Sequence, residues 1–507
     1  MMHFHETIFC ATASTSNGPG NVAIHDIQTG TPLASFKQTN ASAHCTAFVE
    51  SGDSQGGFIL AAQPDKSLLN MYNFQKDQIS LKMVLPEKLS CVAVDRRGEY
   101  AAGGTSNGRI YLWEVSSGVL FNSWDAHYRD ITVLRFTQDG VALISGSQDS
   151  GVSVWSVSRL VDDDFQNELV LPYCTLADHT LSVTDIVCGL GTFPTCRVLT
   201  ASIDHSVKLW DLSSKSLLTV FQFPKAIACL AWDPTERLFF AASSDGSIYQ
   251  MNLFRQSKDT VKGRTMEAIG GAGVHDIIRI DDEGPFPSNK RLISVGQDVT
   301  CLAISFTGSL LLVGTSVGLI HIYDIASHQL LRAISTHKGF SITYLATMLK
   351  PPDLIGHINL TMNFADARDL IPVKPVLPFQ RIRDAKIRDM HEVSLILPPR
   401  NAEYDDEITF YPLSSFLRDQ EFFVKPLGSS NREVDQDAVS LGSRVTNLEA
   451  EVVHLREQLG KAKGLNDMMW DTVVQRVIGQ PKTKSTPADA TYSAESDRPR
   501  KRGRTNT

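Results

Sequence analysis

Cysteine is scarce and scattered: the 507 residues hold eight, and no two form Cys-x-x-Cys. That spacing excludes a zinc ribbon, a thioredoxin-like centre or a disulfide framework. No run of eighteen apolar residues occurs, so no membrane-spanning helix is expected. The opening Met1-Met2-His3-Phe4-His5-Glu6 lacks the basic-then-apolar order of a secretory signal, which points to a soluble intracellular chain. A glycine-rich phosphate loop, a His-Glu-x-x-His pair and paired catalytic carboxylates are missing too, so neither catalysis nor a cofactor is expected. The acidic run Asp162-Asp163-Asp164 reads as a solvated loop and His3-x-His5 as a terminal pair, leaving no expected metal site.

Charge is uneven. The net charge is −8, yet from Pro481 onward seven Lys/Arg face three Asp/Glu, so residues 1–480 carry −12. An acidic body with a basic tail argues against nucleic-acid binding by the body and permits it at the tail.

What the chain does have is a repeat. Gly104–Trp113, Gly146–Trp155 and Ala201–Trp210 align without gaps, and the frame extends to Met71, Met251 and Tyr323, and more loosely to His25. From Met71 the intervals are 42, 42, 55, 41 and 72 residues. Alternating apolar strands flank tight turns at Asn107-Gly108, Asp149-Ser150, Asp204-His205 and Asp245-Gly246, all residues that tolerate positive φ. A period near 40–45 ending in Trp-Asp is a propeller-blade signature. The expected fold is therefore all-β: a seven-bladed WD-repeat propeller over 1–344. The long intervals place insertions around Asp162-Asp163-Asp164 and over 255–290, projecting as loops. Cys45, Cys91, Cys229 and Cys301 recur at one phase of an apolar strand, as small buried hydrophobes do.

Two blades carry a polar set: His127, Ser147, Asp149 and Trp155 in one, His179, Ser202, Asp204 and Trp210 in the other. A His, a hydroxyl and an acid suggest a catalytic triad. The set recurs, however, and both hydroxyls lie inside strands rather than on a nucleophile elbow, so a buried hydrogen-bond chain is expected.

Beyond the propeller, 345–430 is an irregular extension with proline at 372, 375 and 378 and much apolar material. It packs either on its own propeller or on a partner. Over 431–478, Val434, Leu441, Leu448 and Leu455 repeat every seven residues, interleaved with Ala438, Val445, Val452 and Leu459. Val at a and Leu at d favour a parallel two-stranded α-helical coiled coil, hence a homodimer. In that register Arg444 faces Glu449 of the second helix and Glu451 faces Arg456, each pair contributing about 0.2–1 kcal/mol. The tail, 479–507, carries Arg498, Arg500, Lys501, Arg502 and Arg504, suited to nuclear import or RNA phosphate contact.

Leu60-Ala61-Ala62-Gln63, His127-Tyr128-Arg129-Asp130, Asp185–Gly191 and Gly246–Phe254, together with the late heptads, resemble one WD-repeat family: the Ipi-three proteins of fungi, called WD-repeat protein eighteen in animals. The resemblance implies a non-catalytic scaffold subunit of a Rix-type complex acting in the nucleolus and nucleoplasm. It also implies work on the pre-60S particle, removal of an internal pre-rRNA spacer, recruitment of an AAA-type remodelling ATPase, and a link to replication licensing. It places dimerisation in the heptads. The rival reading is a ubiquitin-ligase substrate receptor or another chromatin adaptor; Ser213 after Trp210-Asp211-Leu212, where such receptors often carry Arg, counts against the former.

Overall fold

In the computed structural model the residues described are 5–354 except 16–17, 53–54, 163–168, 260–262, 270–275 and 281–291, then 373–383, 391, 393, 450–464 and 468–469. The chain divides into two units, Met1–Pro399 and Arg400–Thr507.

The first unit is a ring of seven antiparallel blades. Its inner strands are Thr46–Val49, Leu89–Val94, Ile131–Phe136, Val183–Cys188, Ile227–Trp232, Val299–Ile304 and Ile342–Leu349. Naming strands a to d from the axis outward, His25, Met71, Trp113, Trp155, Trp210, Met251 and Tyr323 all lie in strand c of blades 1 to 7. The inner strands are stitched around the axis by one repeated hydrogen bond. A hydroxyl at the second position donates to the first carbonyl of the next blade: Ser90 to Ile131 (2.6 Å), Thr132 to Val183 (2.8 Å), Thr184 to Ile227 (2.8 Å) and Thr300 to Ile342 (2.5 Å). The neighbouring cysteines are unpaired thiols packed close to strand b. A Cβ on Gly104 would lie 2.7 Å from the Cys91 sulfur and one on Gly314 2.5 Å from that of Cys301, so only glycine fits opposite. Burial pushes the Cys45 and Cys301 thiols up to about 12, which keeps them protonated and inert.

Blade 1 is made from both ends of the propeller. Glu6–Thr12, Gly20–Asp26 and Pro32–Thr39 supply strands b, c and d, and Ile342–Leu349 supplies strand a. Glu6 pairs with Leu349 and Ala11 with Tyr344 across the seam. The expected propeller boundary at residue 344 therefore cuts through the closing strand, which runs to Leu349. Periodicity ends there because the shared blade has no further strand to encode.

The second insertion is not a simple loop. A hairpin of Phe254–Asp259 and Gly263–Ala268 is followed by Asp276–Arg279, which pairs parallel with Ser216–Gln222 and gives blade 5 a fifth strand. Ile278 and Ile280 pack on the core between blades 5 and 6. An outer strand with unpaired N–H and C=O groups is a template for addition, and here the chain covers its own edge. The first insertion begins with a one-turn helix, Val157–Val161, whose Val157 and Leu160 are buried.

Of the extension, residues 373–383 pack on blades 2 and 3. Val373 bridges Gly56, the Leu377 amide donates to the Val115 carbonyl (3.1 Å), and the Gln380 amide to that of Gly118 (2.8 Å). Gly118 has φ +71°, and a Cβ there would stand 2.3 Å from the Pro378 carbonyl oxygen, so the strap requires glycine beneath it. Phe379 is buried and stacks on Trp113 (5.2 Å, 13°), which stacks on Tyr111 (5.4 Å, 14°). The Trp113 indole N–H donates to the Gln380 carbonyl (2.9 Å). For this stretch the open choice resolves to packing on its own propeller.

In the second unit the described residues form a short helix over 450–464, exposed throughout. Of the expected coiled coil over 431–478 the described residues show only this one helix, with no second helix paired to it. Glu451, Val452, Leu455, Arg456 and Leu459 lie on this helix, and Val452, Leu455 and Leu459 are 47%, 54% and 73% exposed. One helix has no second apolar stripe of its own to cover a heptad seam. Leu441, Arg444, Val445, Leu448 and Glu449, and the tail residues Arg498, Arg500, Lys501, Arg502 and Arg504, lie outside the described residues. Among the described residues no helix is long and apolar enough to cross a membrane.

Trp113→Phe keeps the aromatic stack and strands the Gln380 carbonyl. It should weaken strap docking by about 1–3 kcal/mol, read as faster proteolytic cleavage within 373–383 while blade amides stay protected. Unchanged cleavage would contradict the assignment.

Candidate functional site

The polar sets sit where strand b, the b–c turn and the preceding d–a loop meet. In blade 5 the His179 Nδ1–H donates to Asp204 Oδ2 (2.9 Å), the Thr200 hydroxyl donates to His179 Nε2 (2.8 Å), and the Trp210 indole N–H donates to Thr200 Oγ1 (2.9 Å). Blade 4 repeats this: His127 to Asp149 (3.2 Å), Ser145 to His127 (2.8 Å), Trp155 to Ser145 (2.9 Å). The carboxylate fixes each ring's tautomer, with the proton on Nδ1, so the hydroxyl can give to the ring and receive from the indole.

The hydroxyls in the relay are thus Ser145 and Thr200, not Ser147 and Ser202. Positions i and i+2 of a strand face the same side, so the repeat alone does not separate them. Ser147 and Ser202 act one step outward: each donates to a loop carbonyl, Asp130 (2.9 Å) or Leu181 (3.0 Å), and accepts the amide of Asp149 or Asp204 (3.1 Å each). The register of the indole, ten residues after its acceptor in both blades, is the signal that distinguishes them.

This chemistry holds loops and does not activate a nucleophile. Asp149 accepts the Gly151 and Tyr128 amides, and Asp204 those of Ser206 and Thr180, clamping turn to loop. Burial pulls on both acids, but these hydrogen bonds and the neighbouring rings win and lower both carboxyls. For His127 burial acts in the opposite sense and lowers the ring, against the raising pull of Asp149. Fixed loops present large side chains to solvent: Tyr128 is 99% exposed, and Leu181 and Ile203 are exposed on the loop and turn of blade 5. Nothing in the repeat pattern marks these three.

The opposite face opens into a funnel around the axis, a cavity of about 1470 Å³. Phe48, Phe136, Trp232, Phe306 and Tyr344 line it, with Glu50, Arg96 and Glu236 among the charges. Deeper in, Arg135 meets Asp185 (3.5 Å), which also accepts the Ile186 and Leu230 amides (2.8 and 2.9 Å), linking blades 4, 5 and 6. An aromatic funnel rimmed by charge on one side and a set of clamped loops on the other have the composition from which protein interfaces are built.

The model for the WD domain, G-beta repeat, matches residues 118–156, 171–211 and 215–250. Each match starts just before strand d of one blade and ends in strand c of the next, the same offset that makes blade 1 a shared blade. Pre-rRNA-processing protein IPI3 of Mycosarcoma maydis is 30% identical, covering 93% of this chain and 96% of its own length. The chain belongs to the family of IPI3 and WD repeat-containing protein 18. WD repeat-containing protein 18 of Danio rerio is 32% identical over 66% of this chain and 71% of its own length. Pre-rRNA-processing protein crb3/ipi3 of Schizosaccharomyces pombe is 30% identical over 65% and 75%. The resemblance read from the residues is therefore borne out.

Two expected outcomes follow from the relay. Thr200→Val, nearly isosteric, strands the Trp210 N–H and should cost about 1–3 kcal/mol, against less for Ser202→Ala, read as a shift in urea midpoint. Acid should also destabilise the ring. His127, Asp149 and Asp204 have folded pKa values below their unfolded ones, so their contribution is present above the unfolded pKa and lost as pH falls through the folded one. The loss begins below about 6.5 for the histidine and below about 4 for the acids. Asp204→Asn should flatten the lower part of a pH series of urea midpoints.

Proposed function

We propose that the protein is a non-catalytic scaffold for pre-rRNA processing in maturation of the large ribosomal subunit. The observation that carries this is the similarity to a pre-rRNA-processing protein along nearly the whole chain, not only along its blades. The relay geometry supports the scaffold part, since both His–Asp pairs are occupied by amides, hydroxyls and indoles. In this reading the clamped loops and the axial funnel engage other subunits of a Rix-type complex, and through them a pre-60S particle and its AAA-type remodelling ATPase, in the nucleus and nucleolus.

The C-terminal region adds two contacts. The exposed stripe of Val452, Leu455 and Leu459, continued by the heptads before it, pairs two copies of the chain and raises the local concentration of propellers for a multi-subunit partner. The tail from Arg498 to Arg504 supplies nuclear import and contacts RNA phosphates. With about five phosphates contacted, log K falls with log salt at a slope of roughly 3–4.

Tagged full-length protein purified from nuclear extract should bring down large-subunit precursors and a remodelling ATPase in stoichiometric amounts. Deleting 431–507 should leave the ring folded but monomeric by light scattering, with those partners reduced. A cullin adaptor in place of ribosomal precursors would overturn the proposal.

A further inference from the structure

Blade 1 fills its relay position with different chemistry. Cys10 stands in strand b where blade 5 has Thr200, and His25 in strand c where it has Trp210. His337, in the loop before the closing strand, stands where His179 does. The His25 and His337 Nε2 atoms are 2.8 Å apart, and the Cys10 sulfur is 3.4 Å from His337 Nε2. The three ligand atoms all lie within 4.8 Å of one another, and all three residues are buried.

The substitution changes what the cluster can do. In blades 4 and 5 the shared atom is a hydroxyl oxygen, which gives one proton and accepts more than one. In blade 1 it is an imidazole nitrogen, with a single in-plane valence, either a lone pair or an N–H. It cannot serve a ring nitrogen and a thiol with full hydrogen bonds at once. A cation satisfies all three.

From these positions we propose that Cys10, His25 and His337 form a binding site for a divalent zinc-type cation that clasps the ring shut. A thiolate with two imidazoles is the donor set of a borderline-soft metal, and three protein ligands leave the fourth tetrahedral position to water. Bonds of about 2.0–2.1 Å to nitrogen and 2.3 Å to sulfur imply about 3.3 Å between nitrogens and 3.5 Å between nitrogen and sulfur. The sulfur already has that spacing from His337, while its spacing from His25, within 4.8 Å, must close and the two rings must part by about half an ångström. Two ligands come from the N-terminal strands and one from the end of the propeller, so the ion would join the same elements that the seam hydrogen bonds join. Since the site exists only in the closed ring, its binding free energy adds to ring stability.

The test uses untagged full-length protein purified without chelator. Elemental analysis should find about one zinc per chain. Cobalt(II) should replace it one-to-one, with a sulfur-to-cobalt charge-transfer band in the near ultraviolet, and chelation should lower the melting temperature. Cys10→Ser should abolish the charge-transfer band, and His25→Phe should lose the metal. Wild-type protein without zinc that also fails to bind cobalt overturns the inference. Cobalt bound with no sulfur signature overturns it too, and both readouts stand even if the variants fail to fold.

Discussion

The pairing of Glu6–Thr12 with Ile342–Leu349 is the contact on which the rest of the molecule depends. A propeller blade is a short four-stranded sheet that cannot hide both its faces alone, and each blade is covered by its two neighbours. Without this seam, blades 7 and 2 would each have one uncovered face. Because the sequence repeat runs d–a–b–c, every repeat already bridges two blades, and the seam is the same bridge made between the chain's ends. Hydrogen bonds just outside it extend the clasp: the Lys350 amide to the His5 carbonyl (2.7 Å) and the Ala13 amide to that of Ser341 (2.9 Å).

One position of the blade shows how a repeat tolerates divergence. The buried group on strand c needs a polar partner, and the molecule supplies it in three ways. Blades 4 and 5 use a strand b hydroxyl braced by histidine and aspartate. Blade 3 has Gly103 in that place, and its Trp113 takes a carbonyl from the strap instead. Blade 1 replaces indole and hydroxyl by imidazole and thiol. The strap is thus part of the blade 3 core, and its aromatic stack with Phe379 fills the space that a regular blade fills for itself.

The blade count and the strand c residues could be read from the spacing of Trp, Met and Tyr, because a period of about 42 leaves little freedom in how strands succeed one another. The particular hydroxyl could not, since Ser145 and Ser147 share a face and only the register with Trp155 selects between them. The strand at Asp276–Arg279 is four residues long and pairs in parallel with a blade already passed, a long-range contact without local periodicity. The heptads near Leu455 are visible as a pattern, but a pattern states which stripe is apolar, not what covers it. Cys10 is in the repeat frame as plainly as Thr200. Its meaning emerges only when His337, more than three hundred residues away, is brought beside it.

Native-state hydrogen exchange on the full chain tests the central claim most directly. If the seam closes a single cooperative ring, amides in Ile342–Leu349 will open with the same free energy as those in the inner strands Ile131–Phe136 and Val183–Cys188. Rapid exchange along Ile342–Leu349 while those two strands stay protected would mean that the ring stands open at its ends, and the account would be wrong.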